Sequence, residues 1–423
     1  MKTDIDSRPD GTAVAMLSAV APVRTGRVRH GTAFWLLAYA FAITMAFSAA
    51  PAPLYVLYQQ RDGFGSFTVS LVFASYAIGV VVSLFLAGHI SDRVGRRRVL
   101  IPAVAINMVA AALFLLPGLS ALLVARFVSG VSIGMLTATA TAHLAELHLV
   151  ARPGASRVRA DIVATVANVG GIGLGPLIAG LLAEYAPSPL VVPYLAFEVL
   201  LLLGLLAVAL VPETVATTSD SRPPYRPQML SVPAGSRSRF FAACAAAFAA
   251  FAIFGLFTSL TPGFLSGVLQ QRSHAVAGLV TFLVFAAGAL GQIFVARLPL
   301  ARQVALGLGA LAIGLAVLTT GVWTATTILF LAGGLLTGAG AGVVFKGAVV
   351  TVFGLAAPQV RGGTLAGLFL TGYVGLAVPV LGLGLATQLL STQVAVLGFA
   401  VALMLLIAVA FRPLVGRPRA SRS

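Results

Sequence analysis

Twelve apolar stretches, each about as long as a bilayer is thick, constrain this chain more than any other feature. They run approximately over 33–57, 68–88, 98–116, 119–144, 161–183, 190–211, 240–265, 275–296, 302–320, 325–350, 363–386 and 393–411. A spanning helix needs about 20 mostly apolar residues. In lipid its backbone groups must pair within the segment, so stretches of this length are read as helices, and internal Gly and Pro are tolerated. Composition agrees: of 423 residues 59% are apolar and only 9% charged, with a mean hydropathy of +1.03. A soluble chain carries about a quarter charged residues to cover its surface. The expected fold is an all-α polytopic membrane protein with twelve transmembrane helices.

The basic residues orient these spans. Of 27 Lys and Arg, 23 fall in the two tails and the loops on one side of the twelve-helix reading. They include Arg24, Arg27 and Arg29, then Arg93 and Arg96 to Arg98, and finally Arg412 and Arg417. The opposite side carries only Arg61 and Arg272, and Arg126 and Lys346 lie inside spans. By the positive-inside rule both termini are expected to be cytoplasmic, in a multi-pass protein of the cell membrane. A net charge of +16 dispersed in this way is topogenic and gives no clustered nucleic-acid footprint. The single cysteine, Cys244, excludes a disulfide and a cysteine metal cluster. The patch at 13–23 lacks a basic n-region and is read as part of a cytoplasmic tail.

The longest internal loop, rich in Pro, Ser and Arg, divides the spans six and six. The expected organisation is a tail (1–31), a six-helix bundle (32–211), a linker (212–239), a second bundle (240–411) and a C-terminal tail (412–423). The halves look like parallel repeats. Their first spans end in the same tripeptide, Gln59-Gln60-Arg61 and Gln270-Gln271-Arg272, each preceded by proline (Pro51 and Pro53; Pro262). Their fourth spans share a glycine pair, Gly130/Gly134 and Gly338/Gly342.

After the second span the chain reads Gly88-His-Ile-Ser-Asp92-Arg93-Val-Gly95-Arg96-Arg97-Arg98. Gly88 and Gly95 permit a tight reversal, and a carboxylate beside arginines can pair or grip a helix end. This loop resembles the signature loop of the major facilitator superfamily, G-x-x-x-D-R-x-G-R-R, and the span count and central loop extend the resemblance over the whole chain. The resemblance implies a cytoplasmic gate in which Asp92 faces the start of the eleventh helix near Gly362 and Gly363. It also implies that Arg96 pairs with Glu146 at the end of the fourth helix. The equivalent loop of the second half, around Gly291 to Arg302, has no acid.

Three further features bear on mechanism. Arg126 in the fourth span, in Arg126-Phe-Val-Ser-Gly130, either snorkels to the surface about 10 Å away or faces a cavity. It resembles the family's fourth-helix arginine, which is linked to proton transfer. Gly171-Ile-Gly-Leu-Gly175-Pro176-Leu-Ile-Ala-Gly180 resembles the antiporter motif G-x-x-x-G-P-x-x-G-G, with Ala179 in place of one glycine. That motif is typical of the 12-helix drug/proton antiporter branch. Lys346 in the tenth span either snorkels, binds an anionic group of a substrate or pairs with a charge that titrates. Glu198 in the sixth span is the one acid well inside the bilayer, either locally hydrogen-bonded or part of coupling. The first span has no acid, so proton coupling falls to Glu198, Asp92, Glu146, Asp161 or a histidine.

Two patterns carry less. His143 and His148 stand about 140° apart around a helix and do not converge on a metal. The Phe248/Phe251/Phe254/Phe257 stripe could line a cavity, pack in the core or face lipid.

The reading that follows is a secondary transporter, not an enzyme, without cofactor or metal and with no nucleic-acid partner. It would act as a monomer in the bilayer, exporting small amphipathic or drug-like molecules in exchange for protons by alternating access. Uptake of a sugar or other metabolite on the same fold, or a non-transporting receptor, are the alternatives. No G-x-x-x-x-G-K loop for an ATP-driven pump is present.

Overall fold

The computed structural model describes residues 28–87, 90–215, 230–232, 235–357 and 360–415, apart from the side chains of Ala87 and Asp92. Among these residues every regular element is helical. The first half comprises α1 (His30–Ala49), α2 (Tyr55–Asp62), α3 (Ser66–Ala87), α4 (Ser91–Val94), α5 (Arg96–Leu113), α6 (Leu119–Ala151), α7 (Val158–Thr165), α8 (Gly171–Tyr185) and α9 (Val192–Leu210). The second comprises α10 (Arg237–Ser259), α11 (Thr261–Gly267), α12 (His274–Phe294), α13 (Leu300–Trp323), α14 (Thr327–Leu355), α15 (Arg361–Leu389) and α16 (Thr392–Val415).

Among the described residues eleven helical runs are long and apolar enough to span a membrane. The remaining expected span, the third (98–116), corresponds to α5, which has 18 residues and spends its first turn on Arg96, Arg97 and Arg98. It packs along α6 and α9 inside the first half. The expected fifth span is one run, α7–α8, joined by a π-helical turn over Val166–Gly170.

Two spans read as continuous are broken. The first stops at Ala49 and turns through a 3-10 segment, Ala52–Leu54, before α2. The seventh stops at Ser259 and restarts as α11 with Pro262 in its first turn. Proline has no N–H to give and its ring clashes with the preceding turn. Pro51 and Pro262 stand at the same distance before the Gln-Gln-Arg tripeptides, so the repeat extends to the helix breaks.

The shared glycine pairs do equivalent work in the two halves. A Cβ on Gly130 would strike the Tyr76 carbonyl, and one on Gly134 would strike Ser83 and the Val80 carbonyl, so α6 lies backbone-to-backbone on α3. In the second half Gly338 meets the Val284 carbonyl and Gly342 meets Gly288, setting α14 on α12. Lipid provides no hydrophobic drive between helices, so such small-residue approach carries much of the association.

The halves meet along two seams, α8 against α12 and α3 against α15. The arginine-rich ends of the helices are called here the basic face, and the ends bearing Gln59 and Gln270 the opposite face.

The glycine pairs yield a stability prediction. Gly130→Ala and Gly342→Ala should each lower the unfolding free energy by about 1–3 kcal/mol through forced helix separation. Gly382→Ala, where a Cβ meets nothing within 4 Å, should be neutral or stabilising. Thermal unfolding of the purified variants in one detergent checks the ranking.

Candidate functional site

At the basic face the gate-loop residues form a knot within the first half. Arg96 Nη2 donates to Glu146 Oε1 at 2.9 Å, its Nε reaches the same oxygen at 3.3 Å, and its Nη1 donates to the Ser91 hydroxyl at 2.8 Å. The Thr214 hydroxyl donates to the other Glu146 oxygen. Sequence reasoning missed Glu213, which accepts the backbone N–H groups of Arg96 (2.9 Å) and Arg97 (3.1 Å). These are the first two amides of α5, unsatisfied within the helix and at its positive dipole end.

Gly95 makes that contact possible. Its φ is +113°, a conformation that side-chain-bearing residues rarely adopt, and a Cβ there would collide with the Glu213 carboxylate. The legible signal for Glu213 was an isolated acid at the end of the sixth span, on the side where the arginines gather. Gly88 and the Asp92 side chain lie outside the described residues. Arg93 sits in α4, partly buried.

Arg126 does not snorkel. It is 1% exposed, and its Nη1 donates to the Ser48 carbonyl at 2.6 Å. Its Cζ lies 4.8 Å from the Tyr76 ring centroid, 5.3 Å from Phe73 and 5.9 Å from Tyr55. All three distances are within cation–π range. The helix break explains the acceptor. α1 ends at Ala49 and prolines follow, leaving carbonyls in its last turn without the usual amide donors. Beside this site, the Asn107 amide donates to the Thr44 carbonyl at 3.2 Å and accepts from the Ser129 hydroxyl at 2.9 Å. Arg126 Nε is buried with no hydrogen-bond partner.

Lys346 also binds a helix end. Its Nζ donates to the Gln292 carbonyl at 3.3 Å, in the last turn of α12. A cation at a helix C-terminus is favoured by the dipole. Glu198 is half-buried between buried Phe197 and exposed Val199, and its Oε2 has no hydrogen-bond partner.

The histidines diverge. His143 Nε2 lies 3.1 Å from the Pro212 carbonyl, and His148 Nε2 lies 3.2 Å from that of Ser156. Among the described residues no group of three or more His, Cys, Asp or Glu could hold a metal. The phenylalanine stripe packs inward. Phe254 stacks on Phe285 at 4.6 Å, Phe257 meets Phe330, and Phe251 meets both Phe345 and Tyr373.

The glycine-rich run of α8 has two faces. Gly171 and Gly175 press on the Ala42 and Ala46 carbonyls of α1. Gly173 and Gly180 press on α12 of the other half, at Phe285 and at the His274 carbonyl, and the Pro176 carbonyl lies against Gly278. At the opposite face Glu184 Oε2 accepts the His274 N–H at 2.7 Å, capping α12 across the seam. The halves are thus closed on each other there.

Two pseudo-repeated six-helix halves, seamed by α8/α12 and α3/α15, define a multi-pass membrane protein with a transporter fold. The family model described as Major Facilitator Superfamily matches residues 30–373, and the chain belongs to that family. No curated protein sequence matches it. Among solved structures, a peptide transporter POT in complex with sulfate is similar at a TM-score of 0.74 and 14% identity, covering 94% of this chain and 96% of that one. The human organic anion transporter MFSD10 (TETRAN) gives 0.68 and 18%, covering 90% and 100%. The nucleoside transporter NupG gives 0.69 and 12%, covering 90% and 99%. At these identities the likeness is one of fold.

Two predictions follow from the charged contacts. Arg126→Lys should insert and fold yet lose transport by about a hundredfold, because a point charge cannot hold the Ser48 carbonyl and three rings in the same geometry. Near-normal turnover of that variant in proteoliposomes would return Arg126 to a passive role. Glu184→Ala should loosen the opposite face. Removing a helix-capping carboxylate worth about 0.7–1.4 kcal/mol shifts the closed-to-open ratio by about threefold to tenfold. Distances between spin labels on α2 and α11 read this shift.

Proposed function

We propose that the protein is a monomeric secondary active transporter that exports small amphipathic, drug-like molecules in exchange for protons. In this reading it sits in the cell membrane with its basic face and both termini in the cytoplasm, and it works by alternating access. The observation that carries the reading is the two-faced α8 run. Gly171 and Gly175 fix it to α1 of its own half, and Gly173, Pro176 and Gly180 seat it on α12 of the other. A seam in which backbone surfaces approach this closely can part and re-form with little repacking at the glycines, which alternating access requires. The run's resemblance to the antiporter motif supports export.

The amphipathic substrate class rests on chemistry inside the bundle. The cluster of Phe251, Phe345, Phe369 and Tyr373 offers apolar, polarisable surface. Arg126 supplies a guanidinium whose buried Nε has no hydrogen-bond partner. A molecule with an aromatic body and an acceptor group matches both. The gate loop of Gly88, Asp92, Arg93, Gly95, Arg96 and Glu146 is proposed to hold the first half rigid at its basic face. Glu146 and Glu198 are the proposed proton carriers.

Inverted vesicles with an imposed proton gradient test the proposal, using ethidium and a fluorescein-type anion as probes. Dye should accumulate inside, and a protonophore should abolish the accumulation. Dye movement indifferent to the protonophore would remove proton coupling. Concentrative sugar entry into right-side-out vesicles would replace export by uptake.

A further inference from the structure

Charge is divided unevenly along this chain. All 11 Asp and Glu lie at or before Asp220, so residues 221–423 carry cations and no acid. Exposed Arg237, in the first turn of α10, makes no side-chain hydrogen bond or ion pair among the described residues. With no carboxylate in its own half to pair with, it is free to hold an anion from outside.

One turn further along the same side of α10 a groove of about 430 Å³ begins. Arg237, Phe241, Cys244 and Phe248 follow at spacings of four, three and four, so they share one side of the helix. Phe241, Cys244 and Phe248 line the groove together with Leu370 of α15 and Leu406 of α16. Leu230 and Val232 of the linker complete the wall, and no charged side chain among the described residues lines it. Every wall residue belongs to the second half or the linker, so the groove is distinct from the space between the halves. α16 packs on α10, α13 and α15, all of the second half. Phe241 is 57% and Leu230 52% exposed, so the groove opens to the outside of the bundle. Its volume matches about fourteen groups of the size of a water molecule. That is the bulk of one long acyl chain and too little for the two chains of a phospholipid.

We propose that this groove is a binding site for a single-chain anionic amphiphile, a long-chain fatty acid. Its carboxylate meets Arg237 and its chain lies along Phe241, Cys244 and Phe248. In a bilayer the chain gains little by leaving lipid, so the carboxylate–guanidinium pair decides which amphiphile stays. Leu230 and Val232 belong to the linker that joins the halves, so an occupant fastens the end of that linker to the second half. Binding there does not depend on the direction or coupling of transport.

The test uses the full-length protein in phosphatidylcholine nanodiscs and palmitic acid bearing a mid-chain diazirine. Illumination should place adducts on peptides covering 240–248 and 367–371, in excess over other exposed helices by at least about threefold. Unlabelled palmitate should reduce these adducts by at least about threefold, whereas hexadecanol, the same chain without the charge, should not. Arg237→Gln should lower them about fivefold, the preference that one interfacial arginine supplies. Arg237→Lys, which keeps the charge, should keep them, and so should Arg302→Gln, which removes an exposed cation elsewhere on the basic face. Gly367→Leu should abolish them, because a Cβ there meets Phe240 at 3.3 Å and Leu230 at 3.8 Å, both in the groove wall. Phosphatidylglycerol carrying the same diazirine chain separates the two sources of an anionic chain and should show no preference for these peptides. Adducts spread evenly, competed equally by hexadecanol or indifferent to Arg237→Gln would overturn the proposal. So would preferential labelling by the phosphatidylglycerol, which would assign the groove to bilayer lipid.

Discussion

The ends of helices, where backbone groups lack partners within the helix, are where this protein places its charges. In a low-dielectric bundle an unpaired amide or carbonyl is costly, and so is an unpaired ion. Here each answers the other. Arg126 and Lys346, cations, take carbonyls in the last turns of α1 and α12. Glu213 and Glu184, anions, take the first amides of α5 and α12. In all four cases the sign matches the helix dipole. The rest of the architecture is arranged so that these ends come within reach: the proline break of α1, the left-handed turn at Gly95, and the approach of α8 to α12.

Glycine sets the distances over which those charges act. Within each half, Gly130/Gly134 and Gly338/Gly342 bring paired helices into backbone contact. Gly342 stands one helical turn before Lys346 on α14, so the approach to α12 that it permits is the one Lys346 spans to reach the Gln292 carbonyl. Packing and electrostatics are therefore coupled here.

Much of this was legible in the sequence, and the part that was not has a clear cause. Span number, repeat symmetry and the gate loop follow from hydrophobic length, positive charge and a spaced motif, all local properties of the chain. The Arg96–Glu146 pair could be named because the family pattern supplies both partners. Arg126 could not be decided between surface and interior, because its acceptor is a backbone carbonyl and sequence patterns do not mark which carbonyls a helix break leaves free. Glu213 and Glu184 were overlooked for the same reason: their partners are amides, identified only by where a helix begins.

α12 shows how these contacts divide between permanent and exchangeable. Its C-terminal end is held by Lys346 from its own half, and its N-terminal amide is capped by Glu184 from the other. Gly278 and Gly288, on the same helix, face the Pro176 carbonyl across the seam and Gly342 within the half. A rigid-body rotation of the halves leaves the Lys346 and Gly342 contacts untouched and must break those of Glu184 and Pro176. What is lost is one charge-assisted hydrogen bond and a strip of backbone contact, an amount of the size that separates two conformations both populated in a working cycle. In the alternating access proposed above, the helix is thus anchored where the half stays whole and only lightly fastened where the halves part.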